Sequence, residues 1–287
     1  MDLYVTALAL GAASCLGLSL VLTQLGLRRL SALRGACISV PSTALAYLLL
    51  ALFLFDASRF QAHSALLFTV SGCLFPATVT LLTFEANRRV GPSLTGAFGN
   101  LSPPCAILFA MLLLGEVPRA GQLGGMAVIL AGVALIIGAP GRIPIHGFGW
   151  AIGLLLAAAL IRGFVQPLIK LGLAGWPDPF AASLIGYLMS ATVILTTGSL
   201  REGRAILPAR DSGWIWFVPV GLLNGLAVLL MYAALAHGPV ALVAPLVACY
   251  PLATLAFSRL LGTGGVSLTA GLGVAITVAG VALLLRG

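Results

Sequence analysis

The chain is a succession of continuous apolar runs, most of them about as long as a bilayer is thick. A helix needs about 20 apolar residues to cross the hydrocarbon core. Runs of that kind fall near 3–26, 35–55, 64–84, 93–114, 121–138, 148–171, 179–199, 214–235, 240–261 and 268–285. They do not alternate apolar with polar residues, so they are not strands of a lipid-facing barrel. In lipid only a helix satisfies its own backbone segment by segment. The expected fold is an all-α integral membrane protein with ten transmembrane helices. Turn and charge signals punctuate the runs: Arg28-Arg29, Gly91-Pro92, Gly115-Glu116-Val117-Pro118, Trp176-Pro177-Asp178-Pro179 and Gly238-Pro239. The longest gap is about fourteen residues, too short for a soluble domain.

Composition agrees. Charged residues make up 8% of the chain and hydrophobic ones 60%, with a mean hydropathy of +1.13. A soluble domain carries about 25% charged residues and needs them to cover its surface. The net charge of +8 forms no basic stripe with interleaved aromatics, so nucleic acid is not an expected partner. The arginines sit between runs, where they act as topology signals and lipid-headgroup contacts. Cys15, Cys37, Cys73, Cys105 and Cys249 all lie inside apolar runs with no paired spacing, and His63, His146 and His237 are scattered. Neither disulfides nor a metal site are expected. The first segment lacks a basic n-region, so it reads as an uncleaved first helix.

An internal repeat constrains the arrangement further. An offset of 147 places Gly91-Pro92 on Gly238-Pro239, Pro104 on Pro251, Ala106 on Ala253, and Leu113-Leu114-Gly115 on Leu260-Leu261-Gly262. At 148, Gly125 falls on Gly273 and Ala131-Gly132-Val133-Ala134-Leu135 on Ala279-Gly280-Val281-Ala282-Leu283. At 146, Gly17 falls on Gly163 and Leu25-Gly26-Leu27 on Leu171-Gly172-Leu173. Chance matches both Gly-Pro pairs, both prolines and a five-residue block only rarely. The expected units are 1–140 and 146–287, five helices each. Because five is odd, the second unit enters the membrane from the opposite side, which gives two inverted five-helix repeats suited to alternating access.

Loops after the odd-numbered helices carry Arg28, Arg29, Arg34, Arg88, Arg89, Arg142, Arg201, Arg204, Arg210 and Arg259; the opposite side carries Arg59, Arg119 and Arg286. The positive-inside rule places the first set in the cytoplasm and both termini outside.

The stretch from Ala86 to Leu135 resembles the EamA repeat of the drug/metabolite transporter superfamily. The Gly-Pro entry, Ser102-Pro103-Pro104, Leu-Leu-Gly-Glu ending at Glu116 and the final Ala-Gly-Val-Ala-Leu carry the likeness. Tyr232 to Leu285 resembles it again. The resemblance implies a ten-helix exporter of a small metabolite; the repeat symmetry, through the matched Pro104 and Pro251, would place helices four and nine around one central path. The second copy departs from the pattern, with Gly262-Thr263 where the family shows Gly-Glu. The charge count also opposes the termini-inside arrangement that the resemblance implies.

Candidate site residues are the polar groups at membrane depth. Arg162 lies near the middle of helix six, where a charge costs about 2.5–3.5 kcal/mol on insertion scales. Facing a cavity, it would bind a carboxylate or phosphate through its planar fork; otherwise it pairs with carbonyls freed by Pro167, or snorkels. Gln166 and Lys170 follow at four and eight residues on the same helical face. Lys170 also reads as an interfacial anchor. Asn100, Asn224, Tyr232 and Tyr250 are further candidates, as ligand contacts or interhelical hydrogen bonds. Pro104 and Pro251 are expected mid-helix, freeing the carbonyls of Asn100 and Val247, as gating kinks or fixed packing kinks. Glycines at Gly121, Gly125, Gly132, Gly273 and Gly280 mark close helix packing, within the chain or in a homodimer.

No P-loop, nucleophile elbow or intramembrane acid pair is present, so neither an ATPase nor a hydrolase is expected, and no cofactor. The reading is a secondary transporter of an amino acid or organic anion in the inner membrane, monomer or homodimer, driven by the proton gradient or the solute's own gradient. The alternatives are a lipid-linked carrier flippase and a non-transporting membrane enzyme or scaffold.

Overall fold

The structure is a computed structural model that describes residues 3–83, 85–86, 99, 101–137, 148–202, 213–262 and 268–286. Among these residues there are helices and no strands. The helices are α1 (Leu3–Leu27), α2 (Ala32–Leu54), α3 (Ala62–Thr83), α4 (Ser102–Leu114), α5 (Ala120–Ile137), α6 (Phe148–Gly175), α7 (Pro179–Glu202), α8 (Trp214–His237), α9 (Val240–Leu260) and α10 (Leu268–Arg286). Seven of the described helices are long and apolar enough to cross a membrane; α4, α5 and α10 contain shorter apolar stretches. Large apolar side chains stand exposed along α2, with Leu52 78% and Phe53 85% accessible. Lipid accommodates such a surface where water does not.

Two helices are interrupted. α3 passes through a wide turn at Cys73–Thr78, where Phe75 adopts extended angles (φ −140°, ψ 129°). Phe75 precedes Pro76, and proline pushes its predecessor out of the α region. α9 consists of Val240–Val247 and Tyr250–Leu260, joined by a tight turn in which Ala248 N–H donates to Ala244 C=O at 3.0 Å and Cys249 N–H to Leu246 C=O at 3.1 Å.

This break corrects the expectation of mid-helix prolines. Pro251 is the second residue of the second half of α9, and Pro103 and Pro104 lie in the first turn of α4. First-turn prolines sacrifice no intrahelical hydrogen bond, because those N–H groups have no partner in the helix. The helical segments Ser102–Leu114 and Tyr250–Leu260 therefore carry these prolines in their first turns rather than bending through them. Asn100 lies outside the described residues. Pro167 does sit inside a helix, α6.

The matched residues pack reciprocally. A Cβ on Gly17 of α1 would meet Ala253 and Thr254 of α9 within 3 Å, and one on Gly163 of α6 would meet Cys105 and Ala106 of α4 equally closely. Gly17 matches Gly163 and Ala106 matches Ala253, so one contact repeats the other. The same holds where α5 meets α10: Gly132 lies against Gly273 and Thr277, and Gly280 against Gly125 and Ile129. Contacts run from Gly125–Leu284 to Gly132–Gly273, so α5 and α10 are antiparallel. α2 and α7, also equivalent, pair antiparallel: Cys37 Sγ approaches the Ile194 carbonyl while Tyr47 packs on Tyr187. The glycine stripe is thus used within the chain. Without a hydrophobic drive between helices in lipid, small residues that let backbones touch supply the van der Waals contact that holds them.

Candidate functional site: a basic cavity between the matched helices

A cavity of about 490 Å³ lies between α1, α2, α3, α6, α8 and α9, with α4 and α7 contributing Ser102, Pro103 and Tyr187 to its lining. It extends from Tyr187 of α7, Met231 of α8 and Ala244 of α9 to Leu27, Thr83 and Ser258, at or near the ends of their helices. That end is the arginine-rich one. The opposite end is closed. Trp176, 1% exposed, is packed by Phe55, Phe60 and Phe68 with ring centroids 5.6–6.0 Å apart. Tyr47 packs against Phe180 and Tyr187 and donates to the Gly225 carbonyl at 2.7 Å.

Arg162 lines the cavity. Its guanidinium carbon stands 5.8 Å from the Phe75 ring centroid, and its side chain is hydrogen-bonded to the Tyr250 hydroxyl. The break in α9 turns Tyr250 inward, and the extended Phe75 brings its ring to the guanidinium. A cation–π contact contributes about 0.5–2 kcal/mol, and a hydrogen bond to a charged group about 1.5–3. Together these offset most of the insertion cost of the charge. They do not complete its donor set, since Arg162 Nε is buried with no hydrogen-bond partner among the described residues. One turn further on, Gln166 is 4% exposed and its Oε1 likewise has none. No carboxylate lines the cavity among the described residues.

Asn224 lines the cavity and accepts from Ser19 Oγ at 2.6 Å, tying α1 to α8. Tyr250 lines it as well. Tyr232 does not: it is 2% exposed and belongs to the apolar core behind the wall, where Tyr187 takes the place at the surface. Gly99, immediately before Asn100, lines the cavity, and a Cβ there would stand 3.1 Å from Tyr250 Oη. Pro251 and Pro103 line it; Pro104 and Pro167 do not.

Lys170 sits at the closed end. Its Nζ lies 2.5 Å from Glu116 Oε1 and donates to the Gly238 carbonyl at 2.7 Å, while Glu116 Oε2 accepts the Val240 N–H at 2.9 Å. Phe75, Ser19 and this ion pair escaped the sequence reading. Phe75 had a local signal in its following proline; the ion pair, 54 residues apart in sequence, had none.

The chain matches the EamA-like transporter family over residues 3–138 and again over 149–286. It belongs to that family. Membership makes it a multi-pass membrane transporter of the drug/metabolite type, in a family of transporters rather than enzymes. A search of curated proteins finds no match. One of the solved structures it resembles, described as "Crystal structure of protein", superposes with a TM-score of 0.81 at 19% identity, over 97% of this chain and 95% of that one. At that identity the likeness establishes the fold. The EamA repeat thus accounts for the reciprocal packing of Gly17 with Ala253 and of Gly163 with Ala106. Among the described residues no cluster of His, Cys, Asp and Glu could hold a metal ion.

Proposed function

We propose that the protein is a secondary transporter that exports a small metabolite, an amino acid or an organic anion, across the inner membrane by alternating access. The two family-matched stretches are read as five-helix units, 1–140 and 146–287, inserted in opposite senses, with ten crossings in all. The arginine distribution supports a cytoplasmic location for the cavity mouth and an external one for both termini.

The observation that carries this reading is Arg162. Its charge sits in a cavity with no lining acid among the described residues, and Nε lacks a partner among them. An orphaned buried donor costs about 1–3 kcal/mol, and more when charged. An anionic group on the solute relieves that cost, so affinity arises where the empty site is least satisfied. Gln166 and Asn224 add neutral hydrogen-bonding groups on the same cavity wall or facing it.

The test is counterflow of labelled amino acids and organic anions into proteoliposomes. Flux for at least one of them, lost in Arg162→Ala, supports the proposal. A panel in which no solute moves, or in which Arg162→Ala transports as the parent does, refutes it. Accessibility of a C-terminal tag to an impermeant protease in oriented cells tests the topology: cleavage from outside is expected, and protection overturns it.

A further inference from the structure

We propose that Lys170 and Glu116 form a charged latch that holds shut the end of the molecule away from the cavity mouth, and that this pair is not repeated at the equivalent positions 24 and 263. The inference rests on the alternating-access reading above.

Three separate parts of the chain meet at this pair. Lys170 comes from α6, Glu116 from the α4–α5 connection, and Gly238 and Val240 from the α8–α9 turn. Each charged group makes two contacts. Glu116 bonds the ammonium through one oxygen and, through the other, accepts the N–H of Val240, the first residue of α9. That N–H has no partner within its own helix, and the helix N-terminus favours a negative charge. Lys170 reaches the carbonyl of Gly238, just past the end of α8, where positive charge is favoured. The pair therefore fastens both sides of the α8–α9 turn to α6 and to the α4–α5 connection. The side chains are 25% and 18% exposed, so salt and water screen them less than a surface pair.

The repeat shows where the two ends differ. At an offset of 146, Lys170 corresponds to Gln24; at 147, Glu116 corresponds to Thr263. Both replacements are uncharged. Gln24 lines the cavity, in the half of α1 that borders its open part, while Lys170 lies beyond the sealed part of α6. Equivalent positions thus occupy an open end and a closed end, as inverted units do in any one state. An ion pair formed only when its own end is closed favours that state by its full differential energy. The same pair repeated at the equivalent positions would oppose that bias, and Gln24 and Thr263 cannot form it. Lys170 is also on the same face of α6 as Gln166 and Arg162, so a solute drawing on those residues acts on the helix that carries the latch.

The experiment reads access rather than transport. Ala241, 3% exposed, lies between the latched Val240 and the cavity-lining Ala244. Ala241→Cys serves as reporter in a chain whose five natural cysteines are replaced by alanine. An impermeant maleimide is added from the Lys170 side of oriented proteoliposomes, with thermal melts checking the fold of every variant. Glu116→Gln and Lys170→Met are each expected to speed labelling about 10-fold, a shift of about 1.4 kcal/mol. The double variant should be no faster than the faster single one, because both remove one interaction. Exchanging the charges, Glu116→Lys with Lys170→Glu, should restore slow labelling only in part, since a lysine at 116 cannot accept the Val240 N–H. Unchanged labelling in folded single variants overturns the latch, as do effects that multiply in the double. Labelling needs no transported solute. Faster labelling without flux of any solute leaves the latch standing and defeats the transporter reading; flux with unchanged labelling does the reverse.

Discussion

Replacing Gly163 by alanine tests whether the matched helices meet backbone to backbone. A Cβ at Gly163 would lie 2.5 Å from Cys105 Cβ, 2.9 Å from Ala106 N and 3.0 Å from Ser102 O. None of these atoms is the free end of a flexible side chain, so α4 and α6 must separate. Overpacking of this kind costs about 1–3 kcal/mol, against a gain of up to about 1 from the better helix former. Gly153, ten residues earlier on the same helix, has no atom within 4 Å of the position a Cβ would take. Gly153→Ala should therefore be neutral or stabilising by up to about 1 kcal/mol. The two variants should differ by roughly 2 kcal/mol, or several degrees in Tm. Melting of purified protein in one detergent reads the difference. Gly17→Ala, whose Cβ would stand 2.6 Å from Ala253 Cβ, should fall with Gly163→Ala. If Gly163→Ala melts at or above Gly153→Ala, the close approach of α4 and α6 is wrong, and with it the reciprocal packing of the repeat.

Arg162→Ala should separate stability from binding. The ligand-free protein loses a buried charge whose partners are incomplete, so its Tm should hold or rise, while stabilisation by added solute disappears. A lowered Tm with ligand stabilisation intact would refute the assigned role. Arg162→Lys keeps the charge but not the planar fork over Phe75, and should weaken solute binding by about 10- to 100-fold in a thermal-shift titration. Tyr47→Phe removes the 2.7 Å bond to the Gly225 carbonyl that ties α2 to α8, and should cost about 0.5–1.5 kcal/mol in a denaturation series. No change there would mean that aromatic packing alone holds the closed end.

What the sequence disclosed follows from what lipid makes visible. Continuous apolar runs announce helices, because nothing else satisfies a backbone in hydrocarbon. Glycine announces close approach, because a Cβ is excluded where backbones touch; hence Gly125, Gly132, Gly273 and Gly280 betray the α5–α10 contact. Arg162 and Gln166 stand out because polarity at that depth is costly and a four-residue step shares a face. Polarity says much less about which apolar face looks inward, since the outer solvent is apolar too. That is why Tyr232 and Tyr187 could not be told apart, although one lies behind the cavity wall and the other on it. For the same reason the breaks before Pro104 and Pro251 were hidden. The apolar run continues across each of them, and hydropathy cannot distinguish a proline that bends a helix from one that begins it. The doubled Pro103-Pro104 was the available clue, since two successive residues without an N–H fit a first turn far better than a helix interior. The Lys170–Glu116 pair needed more than local reasoning, because it exists only once α6, the α4–α5 connection and the α8–α9 turn have come together. Its residues were nonetheless marked by the repeat. Two copies otherwise matched at glycine, proline and small apolar positions differ in charge at 24 against 170 and at 116 against 263. In a duplicated fold, such departures from the match are where the two ends of the molecule acquire different work.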